Sequence, residues 1–170
     1  MRITLFIPCY MDAFEPEVGV ATLERTLELT EFLHDVLKVT AFPWARFPHK
    51  VGLHYNCNSL RGIHLASPTE IKAPFFSKPR ALLEKVAGIE FVEPARWDQC
   101  CGFGGTFSVF EPAVSVKMGQ DKIAAHAHAG AEFVVSADSS CLLHQKGCAK
   151  HIGSPLKFMH IARILNGAAE

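Results

Sequence analysis

The sequence lacks a net charge, a long apolar run and a Cys-x-x-Cys pair, and each absence narrows the classes of protein to consider. Lysine plus arginine and aspartate plus glutamate number 17 each, with no basic stripe, so nucleic-acid binding has no electrostatic support. The longest apolar stretch near the start, Ile3 to Ile7, is too short for a signal-peptide core or a membrane span. We therefore expect a cytoplasmic protein with no membrane span and no nucleic-acid partner.

The most informative feature present is the run Cys100-Cys101-Gly102-Phe103-Gly104-Gly105. Six cysteines are many for a chain of 170 residues in which we expect no export signal, and this favours metal or redox chemistry over disulfides. Adjacent thiols rarely serve one tetrahedral ion but suit a cluster of several metals. The glycines would let backbone N–H groups approach the sulfurs of such a cluster.

Hydrophobic periodicity predicts strands that alternate with helices. This order predicts an α/β fold, a parallel sheet flanked by helices. The predicted strands are Arg2–Pro8, Lys50–Tyr55, Ile89–Glu93, Phe133–Ala137 and Leu156–Met159. The predicted helices are Val18–Leu29, Glu31–Val39, Pro79–Ala87, Pro112–His128, Leu142–Ile152 and His160–Leu165.

Four of the cysteines directly follow predicted strands. Cys57 follows the strand at Lys50–Tyr55, Cys100 and Cys101 follow the next one, and Cys141 follows the strand after that. Because parallel α/β sheets gather their binding sites at the carboxyl ends of strands, we expect these four thiols to meet at one edge.

Three chemistries are open to such a group of thiols. They could hold an iron–sulfur cluster, hold a structural zinc, or exchange thiols and disulfides at the Cys100-Cys101 pair. The absence of Cys-x-x-Cys weighs against a zinc ribbon, although the fold could still assemble a zinc site from distant cysteines. Free buried cysteines would explain Cys9 or Cys148 taken singly.

Several segments resemble one known family. The run Cys-Cys-Gly-Phe-Gly-Gly-Thr-Phe resembles the signature of the cysteine-rich CCG domain, found in heterodisulfide reductase, in glycolate oxidase iron–sulfur subunits and in the lactate utilisation protein A family. His54–Arg61 resembles its H-x-x-C-x-x-L-R segment, and Asp138–Leu142 its third cysteine segment. The start of the chain, Pro8–Asp12 with Pro16–Gly19, resembles the lactate utilisation type.

The resemblance implies a Rossmann-like fold and an iron–sulfur cluster, of the 4Fe-4S type, in an oxidoreductase subunit that helps convert L-lactate to pyruvate. It also implies two partners, a ferredoxin-like iron–sulfur subunit and a third small subunit. Zinc is the alternative cofactor, in a module of a heterodisulfide reductase or glycolate oxidase-like complex. The implied metal ligands are Cys57, Cys100, Cys101 and Cys141, with Cys148 and Cys9 as further candidates, and Gly102, Gly104 and Gly105 would line the cofactor.

The chain departs from the family in carrying one CCG motif where members resemble two in tandem. The pattern Arg2-Ile3-x-Leu5-x-Ile7-x-Cys9 matches Lys50-Val51-x-Leu53-x-Tyr55-x-Cys57, as expected of a duplicated unit. We therefore expect residues 1–48 to form a truncated N-terminal repeat and residues 49–170 a complete second unit. Either the natural chain is shortened or a middle segment that would carry the first motif is missing from the numbering, and we favour the second.

Other polar residues carry weaker predictions. His54 and Arg61 flank Cys57, and either could support thiolates there or be ordinary solvated side chains. His144 is predicted to be a surface residue, and Asp98 and Glu93 to be solvated loop carboxylates. His126 and His128 point to different faces of one helix, so no metal pair is expected from them.

Overall fold

A four-stranded parallel sheet forms the centre of the fold in the computed structural model, which describes residues 27–168. The predicted α/β class is therefore confirmed. The strands are β1 (Lys50–Leu53), β2 (Glu90–Val92), β3 (Phe133–Ser136) and β4 (Lys157–His160). The helices are α1 (Leu29–Glu31), α2 (Lys78–Leu83), α3 (Phe107–Phe110), α4 (Pro112–His128), α5 (Ser139–His151) and α6 (Ile161–Leu165).

The sheet has the strand order β2-β1-β3-β4, which places β1 in its interior. Val51 of β1 lies beside Phe91 of β2 on one side and beside Phe133 of β3 on the other. Residues 51–53 are all buried, so the predicted inward and outward alternation of this strand is wrong. Helices cover both faces of a parallel sheet, and its central strands are consequently buried on both sides.

Two hydrophobic clusters hold the helices on the two faces of the sheet. One cluster joins β1 and β3 to α2 and α6, and it includes Val51, Leu53, Leu82, Leu83, Phe133, Val135, Ile161 and Ile164. The other joins β3 to α4 and α5, and it consists of Ile123, Val134, Leu142, Cys148, Ala149 and Leu156. The second face is the one on which the cysteine-bearing helix α5 packs.

The boundaries of the two longest helices follow from their caps. α4 begins at Pro112, whose fixed φ suits the first turn, and Gly130 stands just beyond its end at φ 81°. The predicted bounds of this helix are confirmed. α5 begins at Ser139, three residues before the predicted start, because Asp138 caps it by accepting a hydrogen bond from the Cys141 N–H at 2.9 Å.

Other predicted elements are shorter than expected. The helix predicted at Glu31–Val39 is divided between α1 and a π-helical segment, Phe32–Val36. The helix predicted at Pro79–Ala87 ends as α2 at Leu83, and a turn connects it to Gly88. The predicted first strand and most of the helix at Val18–Leu29 lie outside the described residues. Among residues 27–168, the helices are all too short or too polar to cross a membrane.

The chain changes direction across the sheet between β1 and β3. From β1 it first adds β2 on one side, and it then returns to add β3 and β4 on the other. Such a switch point opens a crevice at the carboxyl ends of the two strands, where α/β proteins bind ligands. His54 and Cys57 follow β1 here, and Cys141 follows β3.

Candidate metal centre

Four thiols meet at the carboxyl edge of the sheet. The Cys100 thiol hydrogen-bonds with Cys57 on one side and with Cys101 on the other, and Cys101 also hydrogen-bonds with Cys141. The expected meeting of residues from three strand ends is therefore present in the fold. All four are free cysteines, with Cys57 exposed, Cys100 half-buried, and Cys101 and Cys141 buried.

Three of the four thiols, Cys57, Cys100 and Cys101, share negative charge unequally. Hydrogen bonds from Cys101 and Cys57 hold the pKa of Cys100 far below that of an ordinary thiol. The Cys100 sulfur in turn raises the pKa values of Cys57 and Cys101, and partial burial raises them further. Among Cys57, Cys100 and Cys101, the thiolate is therefore favoured at Cys100 and disfavoured at the other two. This donor set fits a metal centre.

The glycine after the cysteine pair fixes the backbone around Cys100. The Gly102 N–H donates to the Cys100 sulfur at 3.3 Å, and the Gly102 carbonyl accepts a hydrogen bond from the Ser115 hydroxyl at 2.8 Å. Gly102 has φ 88°, and a Cβ there would stand 2.6 Å from the Ser115 carbonyl oxygen of α4. Only glycine lets the cysteine turn lie this close to the helix.

Gly104 and Gly105 continue the turn and connect it to α3. Both have positive φ, 55° and 59°. A Cβ at Gly104 would stand 2.9 Å from Phe107, whereas one at Gly105 would meet no atom within 4 Å. Their predicted contact with a cofactor remains a prediction.

A carboxylate connects the ends of β1 and β3. Asp138 accepts hydrogen bonds from the Cys141 N–H at 2.9 Å and from the Asn56 side-chain amide at 2.8 Å. Burial opposes its ionisation, but hydrogen bonds from Ser140, Cys141 and Asn56 together hold the pKa of Asp138 below its usual value. Because Asn56 precedes Cys57, this carboxylate ties two of the cysteine-bearing segments to each other.

His54 lies at the same edge with its ring inside the protein. Its backbone N–H donates to the Val135 carbonyl at 2.7 Å, and the residue is 2% exposed. Neither ring nitrogen has a hydrogen-bond partner within the described part of the chain. Burial, helped by the charge of Lys122, lowers the pKa of His54 to about 3, so the ring is neutral at pH 7. One ring nitrogen and the sulfurs of Cys101 and Cys141 all lie within 4.8 Å of one another.

Two residues of α4 behind this edge were not predicted to contribute to the site. The Lys122 ammonium donates to the backbone carbonyls of Trp97 and Arg96, at 2.8 and 3.2 Å, and holds the segment that precedes the cysteine pair. Burial lowers the pKa of Lys122 to about 8, and the nearby Asp98 and Cys101 oppose that shift. A lone lysine in a helix gives no sequence signal of burial; only its position facing the sheet explains it.

His126 is the second buried residue of α4 near the site. Its ring nitrogens lack hydrogen-bond partners among residues 27–168, and burial lowers its pKa to about 2. The ring occupies space left by Gly52, where a Cβ would stand 2.3 Å from the His126 Nδ1 atom. His126 is therefore a core residue, and it is not a member of the group formed by His54, Cys101 and Cys141.

Cys148 and Cys9 are the two remaining cysteine candidates, and the role of each as a metal ligand stays a prediction. Cys148 packs in the cluster between α4 and α5, where its sulfur lies 3.8 Å from the His144 Nε2 atom and close to Gly119. Burial raises its pKa, and it is not part of the ligand group formed by His54, Cys101 and Cys141. Cys9 lies outside the described residues, so its predicted role stays a prediction.

Several predictions for charged and histidine residues need correction. Asp98 is not simply solvated, because Thr69 donates to it and Arg61 lies 3.8 Å away. Glu93 is the solvated loop carboxylate that was expected, with 59% of its side chain exposed, although it forms an ion pair with Arg80. His144 is half-buried rather than on the surface.

Arg61 is exposed and lies close enough to Cys57 for its charge to act on that thiol. It donates to Glu70 at 3.0 Å, which occupies part of its hydrogen-bonding capacity. Its positive charge lowers the pKa of Cys57, although this effect is outweighed by the Cys100 hydrogen bond and by burial. The predicted support of thiolates by Arg61 thus has a physical basis at the exposed end of the thiol group.

Comparison with known proteins identifies similar sequences over most of the chain. Residues 51–146 match the family model described as "CCG: Cysteine-rich domain". A protein named "Lactate utilization protein A" from Exiguobacterium sp. is 42% identical over 144 residues, 84% of this chain and 54% of that relative. One of the same name from Lysinibacillus sphaericus is 36% identical over 148 residues, 86% of this chain and 59% of the relative. The chain thus spans somewhat more than half the length of these curated relatives.

Proposed function

Because the chain belongs to the cysteine-rich CCG-domain family, we propose that it is an iron–sulfur-binding electron-transfer subunit of an L-lactate oxidation system. The observation that carries the proposal is the continuous contact of four thiols, from Cys57 through Cys100 and Cys101 to Cys141, at the switch point of the sheet. Four thiolates at one site are the usual ligand set of iron–sulfur clusters.

The surrounding residues suit an anionic cofactor. In the proposal, Cys57, Cys100, Cys101 and Cys141 hold a cluster of the 4Fe-4S type, which would supply reversible one-electron transfer when bound. The Gly102 N–H donates towards sulfur at 3.3 Å, and the buried Lys122 ammonium brings a positive charge close to Cys100 and Cys101. Donors and cations around thiolates offset their negative charge and set the potential of the site.

The thiols at the two ends of the site differ in their exposure to solvent. Cys101 and Cys141 are buried and exclude water, whereas Cys57 is exposed and is the member of the group that a partner protein can approach. We assign electron exchange with a partner to this exposed end. The site lies within residues 49–170, which we propose to be the complete CCG unit.

The lactate system enters the proposal through the names of the relatives. Proteins named "Lactate utilization protein A" align with more than 80% of this chain. The proposed partners are a ferredoxin-like iron–sulfur subunit and a third small subunit, which together with this chain would convert L-lactate to pyruvate. The chain would then be one subunit of an oxidoreductase rather than a complete enzyme.

The test is anaerobic purification of the full chain with analysis of iron and acid-labile sulfide. We expect bound iron and sulfide in the unaltered protein and a loss of most of both in Cys100→Ser and Cys101→Ser. Cys148→Ser is the matched control, since this cysteine is buried in helix packing and its substitution should leave the iron content unchanged. An iron content in both Cys100→Ser and Cys101→Ser equal to that of the unaltered protein would contradict the proposed site.

A second candidate is a single zinc ion, and one observation favours it. The ligand atoms of His54, Cys101 and Cys141 lie within 4.8 Å of one another, which is close to the spacing of donors around one ion. A colourless anaerobic protein that holds zinc but no sulfide would support the zinc candidate.

Thiol–disulfide exchange at Cys100-Cys101 would instead give a metal-free protein whose cysteine pair oxidises reversibly.

A further inference from the structure

We propose that His54 is a nitrogen ligand of the metal centre. Its ring would bind the iron–sulfur cluster next to Cys101 and Cys141. The inference rests on the proposed iron–sulfur site and adds to it a ligand that is not a cysteine. It is carried by the placement of the His54 ring, by the lack of any other partner for its nitrogens among residues 27–168, and by the fixed backbone at this position.

The first support is the distance among the donor atoms. One His54 ring nitrogen and the two sulfurs lie within 4.8 Å of one another in the folded chain. Metal–nitrogen bonds of about 2.0 Å and metal–sulfur bonds of about 2.3 Å place tetrahedral donors roughly 3.5–4 Å apart. The ring nitrogen therefore lies near enough to the two sulfurs to reach the metal centre that they would hold.

The second support is the unmet hydrogen-bonding capacity of the ring. His54 is 2% exposed, and within residues 27–168 neither of its nitrogens has a hydrogen-bond partner. A buried polar group without a hydrogen-bond partner is destabilising, so its presence calls for an explanation. Coordination of a metal by one nitrogen would satisfy that atom.

The third support is the rigidity of the backbone that carries the ring. The backbone of His54 is fixed to β3 by its hydrogen bond to Val135 at 2.7 Å, which holds the side chain at the switch point. An imidazole held in this position can offer the lone pair of an unprotonated ring nitrogen to a metal.

A nitrogen ligand has a consequence for the redox chemistry of the site. A neutral imidazole brings one negative charge less to the cluster than a thiolate does, and exchange of cysteine for histidine raises the reduction potential of iron–sulfur centres. His54→Cys should therefore keep a ligand at this position and lower the potential. His54→Gln should remove the metal-binding nitrogen and reduce retention of the cluster.

The decisive experiment is pulsed electron paramagnetic resonance on the anaerobically reconstituted full chain, reduced to a paramagnetic state. Protein with natural histidine is compared with protein carrying ¹⁵N-labelled histidine, so that coupling from a coordinated imidazole is separated from coupling to backbone nitrogens. We expect a histidine-dependent coupling that is lost in His54→Cys and in any cluster retained by His54→Gln. His126→Gln is the matched control, since His126 is equally buried and lacks partners among the described residues but lies outside the ligand group.

The outcomes separate this inference from the proposed function. A cluster with the expected iron and sulfide but no histidine-dependent coupling would overturn the His54 assignment and leave the iron–sulfur proposal standing. Coupling that survives in His54→Cys but disappears in His126→Gln would also overturn it. Protein without iron and sulfide would overturn the proposed function, and the His54 assignment to iron would fall with it.

Discussion

At the scale of single residues, the position of Cys100 between two other thiols determines its chemistry. It hydrogen-bonds with Cys101 and Cys57, and it also accepts from the Gly102 N–H. These contacts stabilise the thiolate, so negative charge at the site concentrates on one sulfur. Cys57, although exposed, is kept protonated by its neighbour.

This arrangement predicts the pH dependence of alkylation in protein freed of metal by a chelator. Because the pKa of Cys100 is lowered, its thiolate persists at pH 6, whereas an ordinary cysteine with a pKa of about 8.5 is protonated there. We expect Cys100 to react with iodoacetamide at pH 6 at least several-fold faster than Cys57. Mass spectrometry of tryptic peptides measures both rates. A common midpoint near pH 8.5 for the two residues would contradict the assigned charge distribution.

Lys122 predicts a second pH effect, on stability. Its pKa is lowered to about 8 in the folded protein, while the unfolded chain keeps this proton up to about pH 10.5. Between these values the unfolded state binds more protons, so the free energy of unfolding rises with pH. Relative to Lys122→Met, the unaltered protein should gain about 2 kcal/mol between pH 8 and pH 10, since each unit corresponds to about 1.4 kcal/mol.

Urea denaturation of the metal-free protein at several pH values measures this difference. Lys117→Met is the control, because Lys117 lies on the same helix but is exposed and pairs with Asp121. If the difference in free energy of unfolding between the unaltered protein and Lys122→Met does not change with pH, the pKa of Lys122 is not lowered by burial.

The site residues that follow strands could be predicted from the sequence, whereas the site residues that lie on helices could not. Cys57, Cys100, Cys101 and Cys141 follow strands, and parallel strand ends share one edge, so their meeting follows from the order of the elements. His54 was predicted only as a neighbour of Cys57, because its ring direction depends on which side of the sheet α4 covers. Lys122 and His126 gave no signal, since their burial depends on that same packing.

At the scale of elements, the cysteine turn is packed closely against α4. Gly102 approaches the Ser115 carbonyl so closely that a Cβ would stand 2.6 Å from it, and the Ser115 hydroxyl donates back to Gly102 at 2.8 Å. The position of the turn is therefore fixed by its packing against α4. A displacement of this turn would move the sulfurs of Cys100 and Cys101 together.

Substitution of two glycines in the same turn tests that contact. Gly102→Ala and Gly105→Ala both introduce a Cβ at positive φ, but only the first meets backbone atoms of α4. Gly105→Ala should cost about 1 kcal/mol for its left-handed backbone, and Gly102→Ala should cost more, about 2–4 kcal/mol. We also expect Gly102→Ala to lose most of the bound iron. Thermal denaturation and iron analysis measure both effects, and equal losses in the two variants would contradict a special role of α4.

Element boundaries could be predicted where the chain carries strong local signals. Pro112 and Gly130 bracket α4, and that helix has the predicted bounds. Hydrophobic periodicity alone places the start of α5 too late, because it carries no signal of the capping hydrogen bond that Asp138 accepts. The alternation expected for β1 was wrong because its exposure depends on the strands and helices placed around it.

At the scale of the whole molecule, the strand order explains why a site forms at all. The order β2-β1-β3-β4 makes neighbours of the three strands that precede cysteines and leaves β4 at the far side. The predicted alternation of strands and helices indicated a parallel sheet but not this order. The order depends on which faces α2 and α4 cover, and that is decided by tertiary packing.

The central claim is that the four thiols hold an iron–sulfur cluster. Native mass spectrometry of the unaltered chain, purified without oxygen, tests it most directly because it weighs the protein and its bound atoms together. Our account predicts the mass of the 18.7 kDa chain plus an increment of iron and inorganic sulfide, lost on exposure to a chelator and oxidant. An increment of one zinc ion, or none in protein isolated under these conditions, would contradict it.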